Sequence, residues 1–213
     1  MQAEAHYNKI KAPFILHHQL YLHIFIKKRY STIAQAATIS FPKGVNASPA
    51  SLKCWIPKGM PIMGKTDINI TLTADIDLTG KDWTPIGTDY DNAYTGTFDG
   101  GGHTITGLTV TTNDQYAGLF GYLGNFGKFG TVKNVVMDGI QITCNHRLGY
   151  AGGVAGYSRG TIENCSVSGS VSGTVSVGGV VGAQRDGSIT GCSSSATVKG
   201  TLNVGGEIGR AHV

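Results

Sequence analysis

The sequence predicts an all-β fold, a parallel β-solenoid wound as a right-handed β-helix, with an irregular N-terminal segment in front of it. Two short phrases recur between about residues 97 and 206 at nearly constant intervals, and a period of roughly 20–50 residues is typical of repeat proteins. Within each period, Val and Ile alternate with Ser and Thr, a pattern that favours strands over helices. Because a coil of short strands cannot bury its apolar side alone, we expect the coils to stack into one continuous core.

The first phrase is anchored by glycine at its second and fifth positions. It occurs in four copies, at Ala117–Gly121, Gly152–Gly156, Gly178–Gly182 and Gly205–Gly209, and the second and third copies read Gly-Gly-Val-x-Gly. Glycine at the ends of strands permits the sharp turns that such a coil needs. We therefore take six glycines to define the repeat: Gly118, Gly121, Gly153, Gly156, Gly179 and Gly182.

The second phrase consists of a small polar residue, an aliphatic residue, two polar residues and a small apolar one. Its copies are Thr131–Val135, Thr161–Cys165 and Ser188–Cys192, with a looser copy at Thr104–Leu108. Counted at the aliphatic position, successive copies are 27, 30 and 27 residues apart, at Ile105, Val132, Ile162 and Ile189. An antiparallel β-sandwich is the alternative fold, but it would not require a constant period.

Residues in equivalent positions of the phrases should form internal ladders, spaced about 4.8 Å apart like neighbouring strands. One ladder is expected to contain Val135, Cys165 and Cys192, and another Val154 and Val180. We expect Cys165 and Cys192 to be stacked buried thiols. A disulfide between them is the lesser alternative, since neighbouring coils rarely meet its geometry.

Residues 1–66 are predicted to form an irregular, basic segment. Residues 1–60 hold eight Lys and Arg against one acid, whereas residues 61–213 hold nine against twelve, so the basic charge does not belong to the repeats. A mildly acidic repeat region gives no support for nucleic-acid binding. The apolar stretch 14–26 is too short and too polar for a membrane span, and its histidines lack Cys or acidic partners for a metal. One interpretation is that part of this segment is not native coding sequence.

The solenoid is predicted to run from residue 67 to residue 206, and its first part has features of its own. From Ile68 to Leu78, apolar and polar residues alternate, which indicates one or two strands. Trp83 follows in a turn and is expected to lie over the open end of the solenoid. Asp89-Tyr-Asp-Asn92 resembles part of a calcium loop, but it lacks the later Asp, Gly and Glu, so a solvated turn is the preferred interpretation.

Several of these segments together resemble the GLUG-repeat family. They are Ile70–Leu78, Trp83–Gly87, Gly96–Ile105, Gly118–Gly121 and the later Gly-Gly-Val-x-Gly phrases, which together span residues 67–206. The resemblance implies a β-solenoid outside the cell, because such repeats occur in large bacterial surface and secreted proteins, including immunoglobulin-A peptidases and adhesin-like proteins. It does not imply protease activity, since the zinc signature His-Glu-x-x-His is absent from the sequence.

The last seven residues, Glu207–Val213, resemble the translation of a common sequencing adapter. Glu207 stands where the earlier phrases have Val154 and Val180, and an ionised carboxylate in that inward position would be costly unless paired. The hypothesis is that the natural protein continues beyond residue 206 and that this chain is a fragment. Further repeats or domains of the same parent protein would then be partners of this segment.

No catalytic, cofactor-binding or metal-binding residues are predicted. A solenoid glycosidase needs carboxylates that converge on one face of neighbouring coils. The acidic residues instead occupy different positions of the repeat: Asp99, Asp114, Asp138, Glu163 and Asp186. Glu163 has Lys133 one coil before it and Thr190 one coil after it, which indicates a mixed polar ladder on the surface. His103, the only histidine near Asp99, is expected simply to be exposed in its glycine turn.

Two functions of different classes remain. The first is a non-enzymatic extracellular repeat module of a larger bacterial surface protein, a stalk or an adhesive surface that binds a host protein or a glycan. Exposed loop aromatics would make the contacts, because aromatic rings stack on sugars and anchor protein interfaces; the candidates are Tyr116, Tyr122, Phe126, Phe129 and Tyr150. For each of them, merely covering the solenoid is an equally good interpretation. The second function is an accessory repeat region of a secreted peptidase or carbohydrate-active enzyme whose catalytic domain lies outside this chain.

Overall fold

Short strands follow one another along the part of the chain that the structure, a computed structural model, describes: residues 37–40, 67 and 69–211. Those residues contain no helix of the length and apolarity that a bilayer crossing requires. The strands are β1 (Ala37–Ser40), β2 (Asn69–Leu72), β3 (Ile76–Asp77), β4 (Thr97–Asp99), β5 (Thr104–Thr106), β6 (Thr109–Thr112), β7 (Tyr116–Ala117), β8 (Phe120–Leu123), β9 (Thr131–Lys133), β10 (Val136–Cys144), β11 (Tyr150–Gly152), β12 (Ala155–Ser158), β13 (Thr161–Glu163), β14 (Ser166–Ser172), β15 (Ser176–Gly178), β16 (Val181–Gln184), β17 (Ser188–Thr190), β18 (Ser193–Ser194), β19 (Thr197–Lys199), β20 (Asn203–Gly205) and β21 (Ile208–Ala211).

Five successive coils make up the fold of the described residues. Their first strands, β2, β4, β9, β13 and β17, pair in that order along one side of the solenoid. Three further sheets run alongside, with strand orders β3-β5-β10-β14-β18, β7-β11-β15-β20 and β8-β12-β16-β21. Strands β6 and β19 widen the first of these by pairing with β10 and β14. Because strands of neighbouring coils pair in parallel, the predicted parallel β-solenoid is confirmed and the sandwich alternative is excluded.

Two strands lie outside the solenoid limits that the sequence predicted. Strand β1, inside the segment predicted to be irregular, pairs antiparallel with β2 of the first coil. Strand β21 continues the stacking past residue 206, with Ile208 opposite Val181. The adapter interpretation of the last residues stays a prediction. The other expectations for residues 1–66, including the apolar stretch and its histidines, concern positions outside the described residues.

The register of the strands confirms most of the expected ladders and corrects one. Val132, Ile162 and Ile189 are direct neighbours in β9, β13 and β17, as the second phrase predicts. The looser copy of that phrase is misplaced, because Phe98 rather than Ile105 stands opposite Val132.

This misplacement has a local cause: two three-residue strands of the same coil carry similar residues. Strand β4 occupies the first-strand position of its coil, whereas β5 occupies the second, where Ile105 stands opposite Met137. The step at the first-strand position, from residue 98 to residue 132, is therefore 34 residues. Part of the extra length lies in the loop between β8 and β9, which spans residues 124–130, whereas the turn between β12 and β13 spans only 159–160.

The inward side chains form one apolar core. Val135 and Cys165 are buried, and Cys192 is half-buried in the equivalent position of the next coil. The N–H of Val154 donates to the carbonyl of Val180 at 2.9 Å, which places these two valines one above the other as expected. Both predicted ladders are therefore confirmed.

Glu207 occupies the position that the repeat predicts, but its side chain does not lie in the predicted buried environment. The N–H of Val180 donates to its carbonyl at 2.8 Å, so Glu207 is indeed the counterpart of Val180 in the next coil. Its side chain is exposed in the last described coil. The expected cost of a buried carboxylate therefore does not arise at this residue.

The fourth residue of each copy of the second phrase has a left-handed backbone conformation. Asn134 and Asn164 have φ angles of 54° and 50°, and Gly191 takes their place in the next coil with 65°. Few residues other than Gly, Asn and Asp adopt this conformation readily. The asparagine side chains also link coils, because Nδ2 of Asn164 donates to Oδ1 of Asn134 (3.5 Å), and Nδ2 of Asn134 to Oδ1 of Asp99 (3.0 Å). The fourth position of the phrase thus has a structural requirement that the sequence pattern alone did not reveal.

Replacing Gly153 by alanine is expected to lower the free energy of unfolding by about 1–3 kcal/mol, the usual cost of overpacking. A Cβ at Gly153 would lie 2.6 Å from Cγ1 of Val167 and 2.7 Å from the carbonyl oxygen of Gly179, so neighbouring strands must shift. Gly206 holds the same place in the last phrase and is the matched control, because a Cβ there meets nothing within 4 Å. Urea unfolding of both variants provides the comparison, and equal stability of the two would contradict a packing role for the repeat glycines.

Candidate functional site

Four tyrosines from two neighbouring coils meet on one side of the solenoid, and we refer to Tyr116, Tyr122, Tyr150 and Tyr157 as the tyrosine face. Tyr116 and Tyr150 are the first residues of β7 and β11 and stand opposite each other in register. Tyr122 and Tyr157 are likewise opposite each other in β8 and β12. Parallel pairing places each side chain directly over its counterpart at about 4.8 Å, close to the distance at which rings stack.

The rings of the tyrosine face form two stacked pairs. The centroids of Tyr116 and Tyr150 are 5.5 Å apart with an interplanar angle of 30°, and those of Tyr122 and Tyr157 are 4.7 Å apart at 25°. Edge-to-face contacts join the pairs, at 5.1 Å between Tyr116 and Tyr122 and at 5.7 Å between Tyr150 and Tyr157. Aromatic pairs of this kind contribute about 0.5–1.5 kcal/mol each beyond the area they bury. Mutual packing therefore holds the rings in place without a bound partner.

The two rows of tyrosines end within the third coil. In the fourth coil, Ser176 stands opposite Tyr150, and Ala183 stands opposite Tyr157. Asn203 follows Ser176 in the fifth coil, and its Nδ2 donates to Oγ of Ser176 at 3.3 Å. Among the described residues, Tyr150 and Tyr157 are thus each stacked on an in-register ring on one side, while the next coil offers small or polar residues.

Tyr90 and Phe126 extend the aromatic cluster towards the earlier coils. The Tyr90 ring lies 6.1 Å from the rings of Tyr122 and Phe126, and its hydroxyl accepts a hydrogen bond from the N–H of Phe126 (3.3 Å). The Phe126 ring also covers the guanidinium of Arg159, whose Cζ is 3.9 Å from the ring centroid, in a cation–π arrangement. Arg159 is only 4% exposed, and its Nη2 lies 2.6 Å from Oδ2 of Asp186. The buried positive charge is therefore balanced by a carboxylate.

Most of the aromatic residues predicted to make contacts are accessible in the structure. Phe126 and Phe129 are 70% and 58% exposed, and Tyr116 and Tyr150 are half-buried. The structure brings Tyr116, Tyr150 and Phe126 into one cluster. Phe129 has no ring contact with that cluster among the described residues.

Tyr122 was predicted to be exposed, and that prediction is wrong. Its side chain is 5% exposed, because the rings of Tyr90, Tyr116 and Tyr157 surround it. Tyr122 is therefore the buried member of the tyrosine face.

Sequence reasoning missed Tyr157 and Tyr90 as members of the cluster. For Tyr157 a signal was present, because it follows Gly156 just as Tyr122 follows Gly121 in the preceding copy of the phrase. Tyr90 lies in a turn of the first coil with no counterpart in later phrases, so no periodic signal pointed to it.

Two hydroxyl groups of the tyrosine face have a raised pKa. Burial is the main reason why the pKa of Tyr122 is raised to about 12, with smaller raising effects from Tyr157 and Tyr116 that the nearby Arg159 partly offsets. Burial is also the main reason why the pKa of Tyr116 is raised, with smaller effects from Tyr150 and Tyr157. The hydroxyl groups of Tyr116 and Tyr122 therefore remain protonated at physiological pH.

Acidic residues elsewhere on the solenoid make contacts between coils. Oδ2 of Asp99 lies 3.3 Å from Nζ of Lys133, and its Oδ1 accepts a hydrogen bond from Asn134. Although partial burial opposes ionisation, these hydrogen bonds and the Lys133 charge hold the pKa of Asp99 below its usual range. Lys133, Glu163 and Thr190 stand in register on successive coils, so the predicted mixed polar ladder is confirmed.

His103 does not match the expectation of a simply exposed residue. Its Nδ1 lies 3.3 Å from Oδ1 of Asp75, and its side chain is 35% exposed. The same Asp75 oxygen accepts a hydrogen bond from the N–H of Thr104 at 2.9 Å. Asp138 likewise bridges coils, because Oγ of Ser168 donates to its Oδ1 at 2.5 Å.

Asp89 closes a turn in the first coil. Its Oδ1 accepts hydrogen bonds from the N–H groups of Asp91 and Asn92, both at 3.0 Å, and the hydroxyl of Thr88 donates to Oδ2. This geometry agrees with the solvated-turn interpretation of the segment. In the described part of the chain, no three His, Cys, Asp or Glu side chains are grouped so as to hold a metal ion.

Cys165 and Cys192 are free thiols stacked in adjacent coils, as the sequence favoured. The N–H of Cys165 donates to Sγ of Cys192 at 3.4 Å. Hydrogen bonding from the Cys165 thiol, aided by this N–H, lowers the pKa of Cys192. The same thiol pair, together with burial, raises the pKa of Cys165.

Iodoacetamide is therefore expected to modify Cys192 at least about tenfold faster than Cys165, because the thiolate is the reactive form. The rate at Cys192 should reach half its maximum at a pH below about 8.5, the ordinary cysteine pKa, and fall as the pH drops further and the thiolate is protonated. Peptide mapping by mass spectrometry measures both rates, with the urea-unfolded chain as the control in which the two should converge. Equal rates of modification in the folded chain would contradict the hydrogen-bonded arrangement of the two thiols.

Comparison with known proteins identifies two of the repeats. The family model described as the GLUG motif matches residues 148–172 and 173–199. These two segments are GLUG repeats. The first match contains strands β11 to β14 and the second β15 to β19, so each match begins partway through one coil and ends in the next. The resemblance noted from the sequence is confirmed for these two repeats, and the first of them contains Tyr150 and Tyr157.

Two curated proteins are similar to about half of this chain. Halomucin of Haloquadratum walsbyi is 40% identical over 121 residues, which cover 53% of this chain and 1% of halomucin. A protein of Evansella cellulosilytica, provisionally named a Gly-rich membrane protein, is 38% identical over 100 residues, covering 46% of this chain and 11% of that protein. The GLUG solenoid thus matches only a small part of the length of either relative.

A crystal structure from Bacteroides ovatus has the same fold. The protein is provisionally described as an immunoglobulin A1 protease, and its TM-score with this chain is 0.50 at 24% sequence identity. The alignment covers 76% of this chain and 58% of that one. At this identity the likeness supports the solenoid architecture alone.

Proposed function

We propose that this GLUG solenoid is a non-enzymatic repeat module of a larger protein at the cell surface or outside the cell. It acts as a spacer that also presents a binding surface. The observation that carries the proposal is the parallel stacking of the five described coils, in which the second to fifth coils pair with one another in all four sheets. In such an array, stability comes from contacts between neighbouring repeats, so length is gained by adding coils.

The use of polar side chains supports a structural rather than a catalytic role. Asp99 is paired with Lys133, and Asp186 with the buried Arg159. Carboxylates that hold neighbouring coils together are not free to act as an acid and base pair on one substrate. These contacts favour the module over an enzyme.

The relatives support a location outside the cytoplasm. At 38–40% identity, the matching segments belong to proteins named halomucin and, provisionally, Gly-rich membrane protein. Both names suit proteins of the cell envelope or its surroundings. A segment that makes up only 1% and 11% of these relatives suits a spacer within a long chain better than an independent enzyme.

The location is tested with antibodies raised against residues 67–206 and intact cells of the source organism. We expect labelling of cells that have not been permeabilised, and its loss after brief treatment with an external protease. A cytoplasmic marker that survives the same treatment is the control. Labelling that appears only after permeabilisation would refute the proposal.

A further inference from the structure

We propose that Asn164 is the attachment site of an N-linked glycan, whereas Asn69, which has the same acceptor motif, is not modified. This inference rests on the proposed function, because glycans of this kind are attached to proteins that leave the cytoplasm. It adds a covalent modification to the repeat module and names the class of group that the module receives, an oligosaccharide.

The sequence supplies the motif. An asparagine followed by any residue except proline, and then by Ser or Thr, is the acceptor motif of N-linked glycosylation. The second phrase leads into this motif in one copy, as Asn164-Cys165-Ser166. The preceding copy has Asn134, but Val136 stands where the hydroxyl is required, and the next copy has Gly191 instead of an asparagine. One coil therefore differs from its neighbours in carrying the motif.

The position of Asn164 suits the attachment of a bulky group. The residue is exposed and lies in the turn between β13 and β14, with a φ angle of 50°. Its N–H donates to the carbonyl of Thr190 in the next coil at 2.9 Å, and the N–H of Asn134 in the preceding coil donates to the carbonyl of Glu163 at 3.0 Å. A described coil thus lies on each side of this turn. The exposure of Asn164 therefore does not depend on where the described solenoid ends.

The side-chain amide of Asn164 is only weakly held. Its Nδ2 lies 3.5 Å from Oδ1 of Asn134, which is longer than the usual N–H···O distance of about 2.7–3.2 Å. Its Oδ1 lies over Gly191, where a Cβ would collide with it, so the glycine of the next coil leaves room for the asparagine side chain. Turning the amide nitrogen outwards therefore breaks one long contact and no strong hydrogen bond.

Asn69 has the motif without this geometry. The triplet Asn69-Ile70-Thr71 lies in strand β2, where Asn69 is half-buried. Its Oδ1 accepts a hydrogen bond from the N–H of Thr97 in the next coil at 2.8 Å, and Ser40 of β1 stands opposite it on the other side. The amide is therefore held inside a sheet rather than presented at a turn. A further triplet, at residues 46–48, lies outside the described residues.

The modification is a group transfer from a lipid-linked oligosaccharide, whose anomeric carbon is esterified to a phosphate. Nδ2 of Asn164 forms a bond to the anomeric carbon, and the bond from that carbon to the phosphate oxygen breaks. The lipid phosphate leaves with the electron pair of that bond, and Nδ2 loses one proton to a base of the transferase. This chain contributes the carboxamide and the hydroxyl of Ser166, which follows at the start of β14.

The test is mass spectrometry of the full chain, isolated from the source organism with antibodies and digested with trypsin. The expected peptide 160–185 contains Asn164 and no other asparagine, whereas peptides 66–81 and 134–147 contain Asn69 and Asn134. We expect peptide 160–185 to carry a glycan, and electron-transfer fragmentation to place it on Asn164. Asn69 should be unmodified. Asn134, which shares the left-handed conformation but lacks the hydroxyl, is the matched control and should be unmodified as well.

Two variants of Ser166 separate the motif from any other effect of the sequence. Ser166→Ala should lose the glycan completely although Asn164 is unchanged, and Ser166→Thr, which keeps the hydroxyl, should retain it. Circular dichroism and thermal unfolding show that both variants are folded. The proposal would be overturned by an unmodified Asn164, by a glycan on the Ser or Thr residues of peptide 160–185 instead, or by equal modification of Asn69 and Asn164.

The proposed function and this inference can fail separately. Surface labelling of a chain whose Asn164 is unmodified would leave the module outside the cell but overturn the glycan site. A glycan on Asn164 without surface labelling would support the site and refute the location. Absence of both would overturn both.

Discussion

Val180→Glu is expected to lower the free energy of unfolding at pH 7 by about 3 kcal/mol or more, since full burial can raise the pKa of a carboxyl group by about 3–5 units and each unit up to the working pH costs about 1.4 kcal/mol. Val180 is fully buried, and its backbone bonds to Val154 in one neighbouring coil and to Glu207 in the other. An ionised carboxylate at this position would lose its hydration without gaining a partner. A protein that is stable by only about 5–15 kcal/mol would lose a large share of that stability.

The pH dependence of this loss has a defined sign. Burial raises the pKa of the introduced carboxyl group in the folded state, so the folded state favours the protonated form. The electrostatic loss is therefore absent well below about pH 4.3, the pKa of an unfolded glutamate, and grows as the pH rises above it. Urea unfolding at pH 4 and at pH 7 measures the difference.

The matched control is the natural glutamate of the next coil. Glu207 is the counterpart of Val180 and is exposed, so Glu207→Val should change stability by no more than about 0.5 kcal/mol. A Val180→Glu chain as stable as the unaltered protein at pH 7 would show that this ladder is not part of a tightly packed core.

Phe120→Ala is expected to cost about 3–5 kcal/mol, the usual loss for a buried phenylalanine. Phe120 is 0% exposed, and its ring lies 4.9 Å from that of Tyr94 and 5.5 Å from that of Phe98. These three rings pack together in the interior of the first two coils. At the equivalent interior positions, the later coils have smaller aliphatic residues. Removing one ring leaves a cavity that stiff, hydrogen-bonded strands cannot easily collapse to fill.

Phe129→Ala is the control, because the same substitution at a side chain that is 58% exposed removes little buried surface. Its effect should remain within about 0.5 kcal/mol. Thermal and urea unfolding compare the two variants. Similar losses at Phe120 and Phe129 would contradict the placement of the aromatic core.

Much of the fold could be predicted because repetition in the sequence is the direct cause of repetition in space. A coil that bonds to its copy must present the same residue type at the same position, so Val132, Ile162 and Ile189 could be aligned without a structure. The alignment failed at Ile105, where a second strand of the same coil resembles the first. Short phrases identify a strand only when its neighbours in the coil have a different pattern.

The candidate site was predictable only in part. Tyr116 and Tyr150 were identified as aromatic residues near loops, and the structure places both in the tyrosine face. Tyr122 was identified with them but is buried, and Tyr157 was overlooked even though it repeats the position of Tyr122. Whether an aromatic side chain is accessible or only packs against other residues depends on which side chains cover it. That is decided by how the coils assemble.

The sequence by itself determined the solenoid and its inward ladders, because period-two alternation and glycine spacing act locally and recur from coil to coil. The tertiary structure alone decided the exposure of Glu207, the pairing of Arg159 with Asp186 and the packing of Tyr90 against Tyr122. The two contacts join residues from different coils, far apart along the chain. The segments between strands that bring these residues together do not follow the repeat. A local periodic pattern specifies how coils stack, whereas irregular segments between strands decide which side chains meet on the surface.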